Sequence, residues 1–185
     1  MIGQLPNTVS IMRLISAPVL ISLAWFGYDS AFLIILVCAV TSDAVDGYIA
    51  RKFSMTSELG AKLDSWADVA IYFTIVYSAY LLWPEILFAE LTFFIIFICC
   101  VVIPPLTGFL KFGELTSYHT WLVKFGAATA HLSTWILFLG YTAWPFRTAA
   151  ILTTIAALEQ IAITIVLDKP VTDLRSFWHA RRLTN

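Results

Sequence analysis

The chain has 185 residues, of which 60% are hydrophobic and 12% charged, and its formal net charge is −1. The mean hydropathy is +0.86, and the chain contains fourteen phenylalanines and seven tryptophans. A soluble domain of this length could not cover so much apolar surface, and the charge does not suit a nucleic-acid-binding protein. The composition therefore predicts an integral membrane protein that binds no nucleic acid.

Apolar runs recur along the whole chain, separated by Gly, Pro and charged residues. About 20 residues are needed to cross the hydrocarbon region of a bilayer as an α-helix. No linker or low-complexity segment divides the chain, so we predict one domain over residues 1–185. It is expected to be an all-α, polytopic membrane protein with six transmembrane helices, at residues 7–26, 31–50, 65–83, 86–110, 121–140 and 147–167. Pro104 and Pro105 should kink or interrupt the fourth of these helices.

The C-terminal tail, residues 168–185, differs in composition from the predicted spans. Pro170 and Thr172 suit the start of a helix, and apolar and basic side chains follow. We predict an amphipathic helix that lies in the membrane interface and anchors the chain. Its apolar face would be formed by Leu174, Phe177 and Trp178, and its polar face by Arg175, Arg181 and Arg182.

Basic residues indicate the orientation of the predicted bundle. Of the 11 lysines and arginines, only Arg147 falls on the side opposite to the two termini. Because cytoplasmic loops carry an excess of lysine and arginine, both termini should face the cytoplasm. The membrane is expected to be the cytoplasmic (inner) membrane. The loops after the second and fourth spans would lie on the same side.

Four aspartates lie close together in a chain otherwise suited to lipid: Asp43, Asp46, Asp64 and Asp68. Carboxylates near a bilayer are costly unless they are paired or face a polar cavity. The spacings of three and four residues place each pair on one helix face, and two antiparallel helices joined by about a dozen residues would bring the faces together. Oxygen ligands favour magnesium, manganese or calcium, so we predict a site for two divalent ions that activates phosphoryl transfer.

Four further residues accompany the aspartates at fixed positions. Gly47 and Gly60 would let a ligand approach the backbone closely. Ala50 lies one turn beyond Asp46, and Arg51 offers a guanidinium that binds phosphate through two hydrogen bonds. Together with the aspartates they predict a diphosphate substrate.

The whole pattern, Asp-x2-Asp-Gly-x2-Ala-Arg-x8-Gly-x3-Asp-x3-Asp from Asp43 to Asp68, resembles the signature of the CDP-alcohol phosphotransferases, and every fixed position matches. The six-helix layout also resembles this family of membrane enzymes of phospholipid synthesis. The run from Leu5 to Arg13 is similar to the first helix of phosphatidylglycerophosphate synthases. The resemblance implies an enzyme that transfers a phosphatidyl group from a CDP-linked lipid such as CDP-diacylglycerol to an alcohol, releasing CMP, and that works as a homodimer among membrane lipids.

The resemblance also implies roles for individual residues. Two Mg²⁺ or Mn²⁺ ions would be held by the four aspartates, and Asp68 would also be the catalytic base that deprotonates the acceptor hydroxyl. The CDP moiety and its phosphates would be bound by Asp43, Asp46, Gly47, Ala50, Arg51, Gly60 and Asp64.

The acceptor is predicted from polar residues before and within the fifth span. Lys111, His119 and Lys124 suggest a phosphate-bearing alcohol, with glycerol 3-phosphate favoured. Inositol phosphate, serine, phosphatidylglycerol and choline remain alternatives. Deeper in the predicted bundle, Glu159 and His131 are intramembrane polar residues, and a pairing between them is one hypothesis.

Two other functions use acidic residues in membranes. An intramembrane prenyltransferase binds a diphosphate through magnesium, but it needs two aspartate-rich motifs, and this chain shows one cluster. An acidic-lined channel or transporter would explain the carboxylates but not the fixed positions of Gly47, Ala50, Arg51 and Gly60.

Overall fold

A computed structural model describes the backbone of residues 5–52, 58–116, 118, 120–171, 174 and 176–183, and the side chains of residues 15–41, 69–116, 118, 120–171, 174 and 176–182. All regular elements in these ranges are helices, which confirms the all-α prediction. They are α1 (Leu5–Trp25), α2 (Asp29–Lys52), α3 (Glu58–Leu82), α4 (Pro84–Ala89), α5 (Leu91–Phe112), α6 (Trp121–Phe138), α7 (Trp144–Val166) and α8 (Phe177–Leu183).

The predicted spans overlap six long helices, but the structure supports a crossing for fewer of them. Among the described residues, α5 and α7 are the two helices that are long and apolar enough to cross a bilayer. The number of six transmembrane helices therefore stays a prediction.

Helix α3 begins earlier than expected. It starts at Glu58 rather than at residue 65, so Gly60 and Asp64 belong to the helix. Only residues 53–57 separate it from the end of α2 at Lys52, instead of about a dozen residues. A search for apolar runs misses this part because a helix can continue into polar sequence, where its backbone hydrogen bonds are still made within the helix.

The fourth predicted span also differs from the structure. Instead of one helix over 86–110, α4 ends at Ala89 and α5 begins at Leu91, with Glu90 at the N-cap position. Glu90 is 5% exposed and forms an ion pair with Arg147 of α7. Helix α5 is continuous through Pro104 and Pro105, so the helix is not interrupted there, and the predicted kink stays a prediction.

The chain divides into two compact units, Met1–Ala89 and Glu90–Asn185. In the first unit, α1 packs against both α2 and α3. Gly27, with φ +74°, forms the turn between α1 and α2, a conformation that glycine adopts without strain. Helix α1 therefore packs against both helices that contain the aspartate motif. The buried apolar residues include Leu20 and Ala24 of α1, Phe32 and Leu36 of α2, and Ile71 and Ala79 of α3.

In the second unit, α7 packs against α5, α6 and α8. Near its start, the ring of Phe146 lies 4.8 Å from that of Phe94 and 4.9 Å from that of Phe97. Near its end lies a second apolar group, here called the tail cluster, which joins the segment before α6, the end of α7 and the C-terminal tail. The tail cluster consists of Tyr118, Ile163, Leu167, Leu174 and Ala180.

The tail differs in detail from the predicted amphipathic helix. Helix α8 has seven residues and starts at Phe177, well after Pro170. Leu174 is 1% exposed and Ala180 is fully buried, whereas Trp178 is 67% exposed. Leu174 is therefore covered by the chain's own tail cluster and is not part of a face offered to lipid. The prediction missed this burial because Tyr118 and Ile163, which are distant in sequence, pack against Leu174 only in the folded chain.

Close packing between α5 and the segment that follows it gives a first prediction. A Cβ atom added at Gly108 would lie 1.9 Å from Oγ1 and 2.8 Å from Cβ of Thr116. We expect Gly108→Ala to lower the free energy of unfolding by about 1–3 kcal/mol, because Thr116 must move together with its backbone. Gly126→Ala is the matched control, since its Cβ would approach no atom closer than 3.4 Å. Thermal unfolding in detergent measures both, and equal midpoints for the two variants would contradict the predicted clash.

Candidate functional site

The aspartate motif lies on two helices of the first unit. Helix α2 carries Asp43, Asp46, Gly47, Ala50 and Arg51 toward its C-terminal end, and α3 carries Gly60, Asp64 and Asp68 toward its N-terminal end. The backbone is helical at all eight positions, whereas their side chains lie outside the described residues. Residues three and four apart in a helix are separated by about 60° and 40° around its axis. Each pair of aspartates thus shares one face of its helix.

The chemistry of these donors suits a hard divalent cation. Four carboxylates offer only oxygen atoms, which magnesium and manganese prefer, whereas zinc and copper favour sites with nitrogen or sulfur. Among the residues whose side chains are described, no group of three or more His, Cys, Asp or Glu side chains is placed to hold a metal ion. The motif is the metal site that the sequence predicts, and its side chains lie outside the described residues.

Lys111, a predicted acceptor-binding residue, binds the end of α7. Its ammonium group donates to the carbonyl oxygens of Thr164 at 3.1 Å, Ile165 at 2.8 Å and Leu167 at 2.8 Å. The last carbonyls of a helix have no partner within the helix, and a positive charge is favourable there. Because an ammonium has three N–H donors, a phosphate would have to compete with these three bonds for Lys111.

Lys124, the second of these residues, lies in the first turn of α6. Its side chain is half-buried, and Nζ lies 5.2 Å from the centre of the Trp121 ring. Backbone N–H groups at the start of a helix attract anions, so this position suits a phosphate-binding lysine. His119, the third predicted acceptor residue, lies outside the described residues.

Glu159 has partners other than the one hypothesised. Its Oε2 accepts from Oγ1 of Thr120 at 2.7 Å, and its Oε1 accepts from the backbone N–H of Phe177 at 3.0 Å. His131 lies eleven residues beyond Thr120 in α6, about 16 Å further along the helix, and its Nδ1 lies 2.7 Å from the carbonyl oxygen of Ala127. The structure thus favours tertiary bonds at the N-terminal end of α6 for Glu159 over the pairing with His131.

Sequence reasoning missed Thr120, which is fully buried. Its hydroxyl oxygen accepts from the backbone N–H of Val123 at 3.3 Å and so caps the N-terminus of α6. Threonine directly before an apolar helix is a known capping signal, so this role could have been predicted. Its bond to Glu159 could not, because 39 residues separate the two in sequence.

Comparison with known proteins agrees with the motif. The family profile described as CDP-alcohol phosphatidyltransferase matches residues 3–167. A fission yeast protein (Schizosaccharomyces pombe) named as a cardiolipin synthase (CMP-forming)/mitochondrial hydrolase fusion is 44% identical over 67 residues, which are 36% of this chain and 11% of that protein. A CDP-diacylglycerol–glycerol-3-phosphate 3-phosphatidyltransferase 2 from Arabidopsis thaliana is 38% identical over 68 residues, 35% of this chain and 29% of the relative.

A protein from Pseudomonas fluorescens named as a CDP-diacylglycerol–glycerol-3-phosphate 3-phosphatidyltransferase is 30% identical over 68 residues, 35% of each chain. The aligned parts thus span about a tenth to about a third of these relatives. No solved structure matches the chain. Because the family profile covers most of the sequence, including the complete motif, the chain belongs to the CDP-alcohol phosphatidyltransferase family.

Proposed function

We propose that this chain transfers a phosphatidyl group from CDP-diacylglycerol to an alcohol and releases CMP. The observation that carries the proposal is the complete eight-position motif from Asp43 to Asp68, on two helices within the family match. The names of the relatives from Arabidopsis and Pseudomonas support the same reaction.

The motif residues would have different roles in the transfer. Asp43, Asp46, Asp64 and Asp68 would hold two divalent ions, which when bound neutralise the phosphate oxygens and the leaving group. Arg51 would bind the pyrophosphate through two parallel hydrogen bonds. Asp68 would accept the proton of the acceptor hydroxyl. The hydroxyl oxygen would then bond to the phosphorus of the phosphatidyl group, and the bond between that phosphorus and CMP would break.

The membrane setting belongs to the same proposal. Six helices would cross the cytoplasmic membrane with both termini in the cytoplasm, where the soluble product CMP can leave. The apolar helices α5 and α7 and the low charge of the chain support this setting. The enzyme would work as a homodimer.

The acceptor we favour is glycerol 3-phosphate, because Lys124 lies at the start of α6 and because two relatives are named for this acceptor. Phosphatidylglycerol is the second candidate, since the fission yeast relative is named as a cardiolipin synthase. An acceptor panel with purified protein and CDP-diacylglycerol, read out by CMP release and by the mass of the lipid product, separates the two. No CMP release with any acceptor would refute the proposed reaction.

Removal of divalent ions gives the second prediction. We expect EDTA to abolish CMP release and added Mg²⁺ or Mn²⁺ to restore it, because four carboxylates without cations would repel one another and the substrate phosphates. The measurement is CMP release by metal-stripped protein titrated with each ion. Undiminished activity after metal stripping would contradict a two-metal site.

Substitution of Lys124 gives the third prediction. We expect Lys124→Ala to raise the KM for glycerol 3-phosphate about 10-fold or more, because a charge-assisted bond to the phosphate is lost. The KM for CDP-diacylglycerol should stay within about twofold by the same reasoning. Lys169→Ala is the control, an exposed lysine just beyond α7. Equal increases in both KM values would remove Lys124 from the acceptor site.

A further inference from the structure

Glu159 is a carboxylate in the apolar helix α7, outside the aspartate motif. A carboxylate at such a position is costly unless it has partners. Both its oxygens are used, and the two donors come from parts of the chain that are far apart in sequence. One is the hydroxyl of Thr120 before α6, and the other is the backbone N–H of Phe177 at the start of α8. A single side chain thus joins α7, α6 and the C-terminal tail.

The hydroxyl of Thr120 makes two bonds at once. It donates its proton to Glu159 and accepts from the backbone N–H of Val123. The second bond caps α6, so the orientation of this hydroxyl fixes the first turn of the helix. Lys124 lies in that turn, four residues after Thr120 and on the same face of the helix.

The segment from Lys111 to Thr120 is held at two further points by the end of α7. Lys111 binds the carbonyl oxygens of Thr164, Ile165 and Leu167. The buried hydroxyl of Tyr118 lies 3.2 Å from Oγ1 of Thr164. The chain is therefore fixed to the last turns of α7 at Lys111, at Tyr118 and at Thr120.

The C-terminal tail covers the same place. Leu174 and Ala180 are buried in the tail cluster together with Tyr118, Ile163 and Leu167. The bond from the N–H of Phe177 to Glu159 fixes the start of α8 at this site, and partly buried Phe177 packs against the cluster. Release of Glu159 would thus loosen the tail and the start of α6 together.

We propose that Glu159 is a positioning residue, which locks the C-terminal tail and the first turn of α6 to α7 and thereby holds Lys124 in place for the acceptor. The inference rests on the proposed function for its acceptor part. Under this proposal the C-terminal tail helps to shape the acceptor-binding end of the second unit and is not a separate membrane anchor.

The test replaces Glu159 with methionine, which has a similar length and no hydrogen-bonding oxygen. We expect the KM for the acceptor to rise about 10-fold, because two donors lose a charged partner, and the KM for CDP-diacylglycerol to stay within about twofold. Trypsin should also cleave after Arg181 and Arg182 about 10-fold faster, because α8 opens more often. Thr120→Val should have the same effects, Thr120→Ser should restore wild-type values, and Glu85→Gln, an exposed carboxylate of α4, is the control.

Each other outcome has a separate meaning. Unchanged acceptor KM in Glu159→Met, with or without faster tail cleavage, overturns the positioning role. Equal increases in both KM values also overturn it, because a general loss of structure would act on both substrates. A wild-type chain that releases no CMP with any acceptor refutes the proposed function instead, and tail cleavage alone then decides whether Glu159 holds the tail.

Discussion

Replacement of Asp68 by asparagine is expected to lower kcat for CMP release about 10³-fold. An asparagine side chain cannot accept the proton of the acceptor hydroxyl, and it offers a divalent ion a neutral ligand in place of a charged one. The fold should survive, since aspartate and asparagine have nearly the same size. CMP release at saturating CDP-diacylglycerol and metal measures the effect.

The control for this variant is Asp29, at the N-terminal end of α2. Asp29 begins α2, and its Oδ1 accepts from the backbone N–H of Ser30 at 2.6 Å. Asp29→Asn keeps an acceptor at this helix start and should leave kcat unchanged. Asp68→Asn with a tenth or more of wild-type activity would show that Asp68 is not the base.

Replacement of Arg147 by methionine is expected to lower the midpoint of thermal unfolding by roughly 5 to 10 °C. Nε of Arg147 lies 2.9 Å from Oε2 of Glu90, a second nitrogen contacts Oε1, and the Glu90 side chain is only 6% exposed. The guanidinium also lies 5.7 Å from the Phe93 ring and 5.5 Å from the Trp144 ring. Its loss leaves a buried carboxylate without its cation, which is the costly case for an ion pair.

A double variant tests this explanation. Glu90→Leu together with Arg147→Met removes both charges, so most of the lost thermal stability should return. Arg182→Met, at an exposed arginine of α8, is the control and should leave the midpoint unchanged. A double variant less stable than Arg147→Met alone would show that the stranded charge is not the cause.

Local sequence was sufficient to predict much of the molecule. The helical class, the approximate positions of most long helices, and the family all followed from apolar runs and from one motif with fixed spacing. These features are local, because ligands three or four residues apart on a helix are placed together by helix geometry alone. The start of α3 at Glu58 was missed, because a rule based on apolar runs does not detect a helix that continues through polar sequence.

The partners of isolated polar residues were not predictable in this way. Lys111 has the three charge-assisted donors that a phosphate would use, yet the structure directs them to the carbonyl groups at the end of α7, more than 50 residues away. The ion pair of Arg147 with Glu90, 57 residues away, was likewise not predicted from the sequence. Long-range partners depend on which helices pack side by side.

By itself, the sequence determined the family and the candidate metal-binding residues, because Asp43 to Asp68 carries the needed carboxylates at helical spacing within one stretch of chain. Only the tertiary structure decided how Glu159, Thr120 and Phe177 meet, and how Leu174 is buried by the tail cluster. The physical reason is that a helix fixes neighbours over one or two turns, whereas contacts between distant segments are fixed by the packing of whole helices.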